Sequence, residues 1–217
     1  MVGNSEMHDL NQSEGPTEQV ETSAAETREL PRVLPDITAQ KNEEAFRAGQ
    51  KKVLEMIAAN APLGEILTSL VLLIEAQTPE MLCSVLLLSD DGDHIVHGAA
   101  PSLPEQYVKA IDGAPIGPKN GSCGTAMYRG KPVIVTDVLE DPLWEDYRDL
   151  ASASGLRACW STPILSARGK VLGSFAMYYR QPQAPTGAEA RLTEVATHIA
   201  GIAIEQAAKE PLRRTQN

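Results

Sequence analysis

Cysteine is sparse in this chain: 217 residues carry three, Cys83, Cys123 and Cys159. An odd number at wide spacing excludes a framework of paired disulfides and suits a reducing compartment. Cys-x-x-Cys is missing, as is any close Cys/His pair, so a zinc site of the usual spacing is excluded. No stretch approaches ~18 apolar residues without a charge, so neither a membrane span nor a membrane partner is expected. The first residues have no basic stretch and no apolar core, so no secretory signal is read and a cytoplasmic protein is expected. Basic residues are outnumbered, 19 Lys and Arg against 29 Asp and Glu, for a formal net charge of −10. Nucleic-acid recognition needs a clustered basic surface, which this balance does not suggest.

The charge that is present is unevenly spread. Residues 1–40 hold eight acids (Glu6, Asp9, Glu14, Glu18, Glu21, Glu26, Glu29, Asp36) against Arg28 and Arg32, and no aromatic residue. Six of the ten net negative charges therefore fall there. Low hydrophobicity with one-sided charge does not offset chain entropy, so a disordered acidic tail is expected over 1–40. A folded domain is expected over 41–210 and a short C-terminal tail over 211–217.

Within the folded part, Phe46, Val53, Met56 and Ile57 recur near helical spacing. Pro62 interrupts, and 63–75 then reads as a helix apolar over most of its circumference, hence buried. Met81 to Leu88 is a Val- and Leu-rich strand. Ser89-Asp90-Asp91-Gly92-Asp93 is a hairpin turn, since Asp-Gly tolerates positive φ, and 94–99 is the return strand. A short helix is expected over 104–111, a loop over 113–121 and a short strand over 131–136. A second hairpin joins 158–165 to 171–179. Thr186-x-x-Glu189 is a capping box that opens a last helix with Leu192, Val195, Ala196, Ile199, Ile202 and Ala203 on one stripe. Hairpin strands imply an antiparallel sheet, and helices at both ends make the class α+β.

A series of short motifs runs through the second half: Gly121-Ser122-Cys123-Gly124-Thr125-Ala126, then Gly130-Lys131-Pro132-Val133-Ile134-Val135-Thr136-Asp137, then Asp141-Pro142-Leu143-Trp144. Gly155-Leu156-Arg157-Ala158-Cys159-Trp160-Ser161-Thr162-Pro163-Ile164 follows, and Gly169, Val171, Leu172 and Gly173 close it. In this order and spacing the chain resembles a GAF domain, of the bacterial kind found in sensor kinases and cyclic-di-GMP signalling proteins. The resemblance spans about 41–208. It implies a central twisted antiparallel sheet with the terminal helices on one face. The other face, roofed by the irregular segments 103–130 and 137–157, would form a small-molecule pocket. It also implies terminal helices that pair in a parallel homodimer. A separate signalling protein is the other expected partner, because no output segment is read after the last helix.

Candidate ligand contacts are Cys123, Trp144, Tyr147, Arg148, Arg157 and Trp160. Gly121 and Gly124 bracket a helix start, where amides hold anions, although glycines there also simply permit the turn. Trp144, Tyr147 and Arg148 form an aromatic-plus-Arg group suited to a planar or anionic ligand; the alternative is a hydrophobic plug at Trp144 with Arg148 paired to a nearby carboxylate to fix the loop. Alternation along 158–165 puts Cys159, Ser161 and Pro163 on one face and Trp160, Thr162 and Ile164 on the other, without saying which face meets the pocket.

The cofactor is left unknown. A bilin-type Cys-His is missing at Cys123 and Cys159. Haem would need an axial ligand, and His94, His97 and His198 are ordinary surface or core histidines by their setting. Non-haem iron would draw on Asp137, Asp141 and Cys159. The Asn-Lys and Phe-x-x-x-Asp-Glu signature of cyclic-nucleotide GAF domains is absent, since Lys119-Asn120 runs in the opposite order. Cys123 resembles one cysteine of free methionine sulfoxide reductases, which makes a thiol enzyme the alternative function. No cysteine stands near 112–115 to resolve it, and Cys159 lacks the acidic context. A module for dimerisation alone, its pocket filled by its own side chains, is the third reading.

Overall fold

The computed structural model describes the backbone of residues 37–214 and the side chains of 39–209. The expected acidic tail lies outside the described residues up to residue 36. The first helix, α1 (Ile37–Ala58), already begins at Ile37, before the expected boundary. Next come α2 (Leu63–Glu75), β1 (Leu82–Leu88), β2 (Ile95–Ala99), α3 (Glu105–Ile111), α4 (Gly121–Arg129) and β3 (Val133–Val135). A 3-10 segment (Pro142–Tyr147) leads into α5 (Arg148–Ala153), then β4 (Ala158–Leu165), β5 (Val171–Tyr179) and α6 (Gly187–Arg214). The last helix thus continues through four residues expected as tail; 215–217 lie outside the described residues.

The two hairpins form as the turn chemistry predicts. Around the first turn Asp91 is the hub, accepting from the Asp93 amide at 2.9 Å and lying 2.9 Å from His94 Nδ1. Strand order is β2-β1-β5-β4-β3, antiparallel throughout. β5 sits at the centre because it pairs with both neighbours, Val85 and Thr162 each opposite Phe175.

Alternation divides the sheet into two cores. Cys83, Val85, Trp160, Phe175, Met177 and Tyr179 face the helix layer. There α2 buries Ile66, Leu67, Leu70, Val71 and Ile74. The stripe on α6 splits in use. Ala196, Ile199, Ala200 and Ala203 are buried on their own sheet, and Leu192 and Val195 are half-buried. Ile202 is exposed. Each buried Leu or Ile contributes about 2–5 kcal/mol by truncation to Ala, so this layer anchors the domain.

The capping box is present at the start of α6. Thr186 N donates to Glu189 Oε2 at 2.7 Å, its hydroxyl also contacts Glu189, and Ala188 N donates to Thr186 Oγ1 at 3.3 Å. Tyr179 Oη donates to Glu189 Oε1 at 3.1 Å, which ties the cap to β5. Burial on its own would raise the Glu189 carboxyl, but the bonds from Thr186 and Tyr179 outweigh it and hold it below its ordinary value. A depressed folded value stabilises the protein above the unfolded carboxylate range near ~4.3; that stabilisation is lost as pH falls through the folded value. Thr186→Ala is expected to cost about 1 kcal/mol, read as a lowered unfolding midpoint. Glu189→Gln should flatten the acid limb of the stability profile, and an unchanged limb would remove this carboxylate from the account.

Candidate functional site

The opposite face of the sheet presents Ser84 and Leu86 from β1, Ser174, Ala176 and Tyr178 from β5, and Cys159 and Ser161 from β4, all buried. α4 lies over this face. Its start is made possible by Gly121, whose φ of +60° is the left-handed region where a Cβ is strained. The same residue brings the Trp144 and Tyr147 rings to 3.9 Å of where a Cβ would stand. No side chain caps α4 at Asn120, so first-turn amides are left without an intrahelical partner.

Trp144 is the roof. It is 2% exposed, its ring meets Tyr147 edge-on at 6.4 Å, and its Nε1 donates to Ser122 Oγ at 3.0 Å. Ser122 Oγ in turn donates to the Cys159 carbonyl at 3.0 Å. One hydroxyl therefore joins roof, α4 and β4. Asp141 fixes the entry to the 3-10 segment by accepting from Leu143 N at 2.8 Å.

Beneath this roof is a cavity of about 20 Å³ lined by Leu86, Tyr107, Ile111, Cys123, Trp144 and Tyr147, among others. That is room for about one water. Its floor is polar. Tyr178 Oη lies 3.4 Å from Cys123 Sγ and 3.2 Å from Ser84 Oγ, and the Tyr107 ring stands edge-on to Tyr178 at 5.7 Å. The neighbouring Cys159 thiol, then the Tyr178, Ser161 and Ser174 hydroxyls, draw the Cys123 thiol down to about 7 in spite of its burial. Burial pushes Cys159, Tyr107 and Tyr178 well up.

Of the six candidates, three line this cavity, Cys123, Trp144 and Tyr147. The other three do not. Trp160 is on the helix face, tilted on Tyr179 at 4.8 Å with Nε1 donating to the Gln183 carbonyl at 3.1 Å. Alternation put it opposite Cys159, and Cys159 belongs to the core on the cavity side of the sheet. Arg157 is engaged with Asp137 through Nε at 3.2 Å and a second nitrogen at 2.6 Å, which holds the Asp137 carboxyl down. Arg148 braces the loop through the Glu140 and Asp141 carbonyls at 3.4 and 3.3 Å, not through a carboxylate. The iron set Asp137, Asp141 and Cys159 is not assembled: the two acids serve Arg157 and the loop, and Cys159 lies in the buried core. Among the described residues no group of three or more His, Cys, Asp or Glu is placed to hold a metal, and no helix is long and apolar enough to cross a membrane.

Sequence reasoning missed Tyr107, Tyr178, Ser122, Ser161 and Ser174. The signal was the alternation Ser174-Phe175-Ala176-Met177-Tyr178, which marks one polar face of β5, but nothing local tells that face from the other.

A family model described as GAF domain matches residues 60–205. A methyl sulfide methyltransferase-associated sensor of Methanosarcina acetivorans is 40% identical over 186 residues, covering 85% of this chain and 19% of that protein. This chain thus spans about a fifth of that relative's length. The GAF domain of a phosphoenolpyruvate-protein phosphotransferase from Coxiella burnetii superposes with TM-score 0.60 at 18% identity, over 78% of this chain and 99% of that one. The free methionine-R-sulfoxide reductase of Neisseria meningitidis, solved with its substrate, gives 0.59 at 17%, over 79% and 93%. At these identities the two structures share the fold.

Proposed function

The chain belongs to the GAF domain family, and from that premise we propose that it is a cytoplasmic sensing module whose ligand enters beneath Trp144 and Tyr147. The observation that carries this reading is the site's construction: an aromatic-roofed cavity set against the uncapped start of α4. Such a place suits a small molecule with a planar or apolar body among Tyr107, Trp144 and Tyr147 and an acceptor group toward the α4 amides. At about 20 Å³ the cavity holds no such body as it stands, so binding requires the Trp144 roof to move. A ligand that fits the open form and not the closed one shifts the balance between them.

The route outward is β4. Cys159 lies in the core on the cavity side of the sheet and the neighbouring Trp160 faces the helix layer, where α6 packs on β4 and β5. Signal leaves through α1 and α6, whose outer side carries Leu54 at 44% and Ile202 at 38% exposure beside Val195 and His198. Pairing there with a second copy, or with a separate signalling protein, would carry it on. The reading contains no turnover.

Native mass spectrometry of the purified chain tests it. The expected result is a small extra mass that leaves on denaturation, is lost in Tyr147→Ala and is kept in Trp160→Phe. A species that stays ligand-free after exposure to cell extract would favour a scaffold whose pocket is filled by its own side chains.

A further inference from the structure

Between the terminal helices, on the side of the sheet away from Trp144, lies a second hollow. α1 and α6 run side by side in the same direction, with Phe46 and Gln50 level with Leu192 and Val195, and Leu54 level with Ile199 and Ile202. Two cavities open along this seam, about 480 Å³ near the start of α6 and about 370 Å³ further on. They share Gln50 and Val195, so they form one trough. Each is of the size of a small-molecule site, about 300–1,000 Å³. The two ends differ in chemistry. At the first, Gln50, Gln77, Thr78 and Arg191 stand beside Phe46 and Leu192. Glu43 and Arg47 at this end neutralise each other at 2.8 Å. Arg191 has no acidic partner among the described residues, so its charge is the one left to meet a ligand. At the second end the surface is Leu54, Val195, Ile199 and Ile202, with His198 beside them. Leu54 and Ile202 are exposed apolar side chains, which gain by being covered. Arg191 and Ile202 are about 16 Å apart along α6, close to the length of an extended twelve-carbon chain. A second copy fits this trough less well. The ridges that flank it carry exposed Lys51 and Glu194, and seating either in a partner's trough would take a charge out of water.

We propose that the trough between α1 and α6 binds a single-chain amphiphile with an anionic head, a medium-chain fatty carboxylate being the simplest. The carboxylate meets Arg191, with the Gln50 and Thr78 side chains as further donors. The chain lies along Val195 and Ile199, between Leu54 and Ile202. Charge fixes the direction, because a reversed ligand would set its carboxylate among apolar side chains and leave Arg191 unpaired. A chain lying there covers the outer side of α1 and α6, the surface on which a partner would pair. The site uses neither Trp144 nor the cavity beneath it, so this inference stands apart from the sensing reading.

Isothermal titration of the full chain with dodecanoate, kept below its micelle-forming concentration, tests it. The expected result is saturable binding of one dodecanoate per chain. Octanoate should bind at least about tenfold more weakly, since each methylene covered on one side by an apolar wall carries about twofold in affinity. Ile202→Glu should weaken dodecanoate at least about tenfold by setting a carboxylate against the chain. Arg191→Glu should weaken it at least about fivefold by turning an exposed ion pair into a repulsion. Both residues are exposed, so the unfolding midpoints of both variants should stay near wild type. Phosphatidylglycerol vesicles, which offer an anionic head within a bilayer, should leave the chain in the supernatant. No saturable heat, dodecanoate binding that ignores both substitutions, or sedimentation with the vesicles would overturn the proposal. So would a dimer that takes no dodecanoate and falls to monomer in Ile202→Glu, which would give the trough to a second copy.

Discussion

Replacing Gly173 by alanine is expected to remove most of the chain's stability, roughly 3–5 kcal/mol. The site is in the middle of the sheet, where Gly173 of β5 stands opposite Leu87 of β1 and Ile164 of β4. A Cβ placed there would fall 2.1 Å from the Leu86 carbonyl oxygen and 3.1 Å from the Leu87 Cα. The obstacle is backbone on a paired strand, so it cannot turn aside as a flexible side chain would. Relief requires β1 and β5 to part, which breaks ladder hydrogen bonds and opens both cores at once. Against a total stability of ~5–15 kcal/mol, much of the variant would be unfolded. Gly64→Ala is the counter-experiment. It lies in the first turn of α2 with nothing within 4 Å of its Cβ, and should stabilise by about 0.4–1 kcal/mol through the unfolded chain. Urea unfolding midpoints of the two variants should therefore move in opposite directions. A Gly173→Ala midpoint equal to wild type would mean the strands are not so closely opposed.

Gly173 also shows how far the residues could be read. As one glycine after a hairpin it marked a motif; the reason for it, a neighbouring carbonyl, lies 87 positions away in sequence and enters with the sheet order. What depends on local chemistry was legible. The α2 helix needed apolar residues on most faces, the hairpins needed Asp-Gly and Arg-Gly turns, and Thr186 and Glu189 announced the start of α6. What depends on which face meets which layer was not. Trp160 and Cys159 are neighbours on one strand, and period-two alternation separates them without saying that Cys159 belongs to the cavity side of the sheet. The same limit hid Ser161, Ser174 and Tyr178, which gather fully buried on one sheet face from two strands. Arg148 and Arg157 look like ligand-binding cations in sequence because their partners, two carbonyls and one aspartate, are found only after the loop closes.

Trp144→Ala is expected to cost about 3–5 kcal/mol, the range for a buried large aromatic, and to turn the roof into a hole. The indole is nearly wholly buried, stacks edge-on with Tyr147 and supplies a donor to Ser122. Its loss removes apolar burial and packing together, and the surrounding segment is held by Asp141 and Arg148, so it collapses into the gap only in part. Ser122 still donates to the Cys159 carbonyl, which limits the polar penalty. The vacated space has the shape of an indole, so free indole should bind the variant and not the wild type. At tenfold over its dissociation constant it would return about 1.4 kcal/mol, visible as a raised melting temperature. This result separates two roles for the same residue. A large loss with indole rescue makes Trp144 a plug that any natural ligand must displace, so that sensing works against a stability term of several kcal/mol and demands a tightly matched ligand. A loss under about 1 kcal/mol would make the 3-10 segment a loosely held flap, and the cavity would then open without a ligand's help.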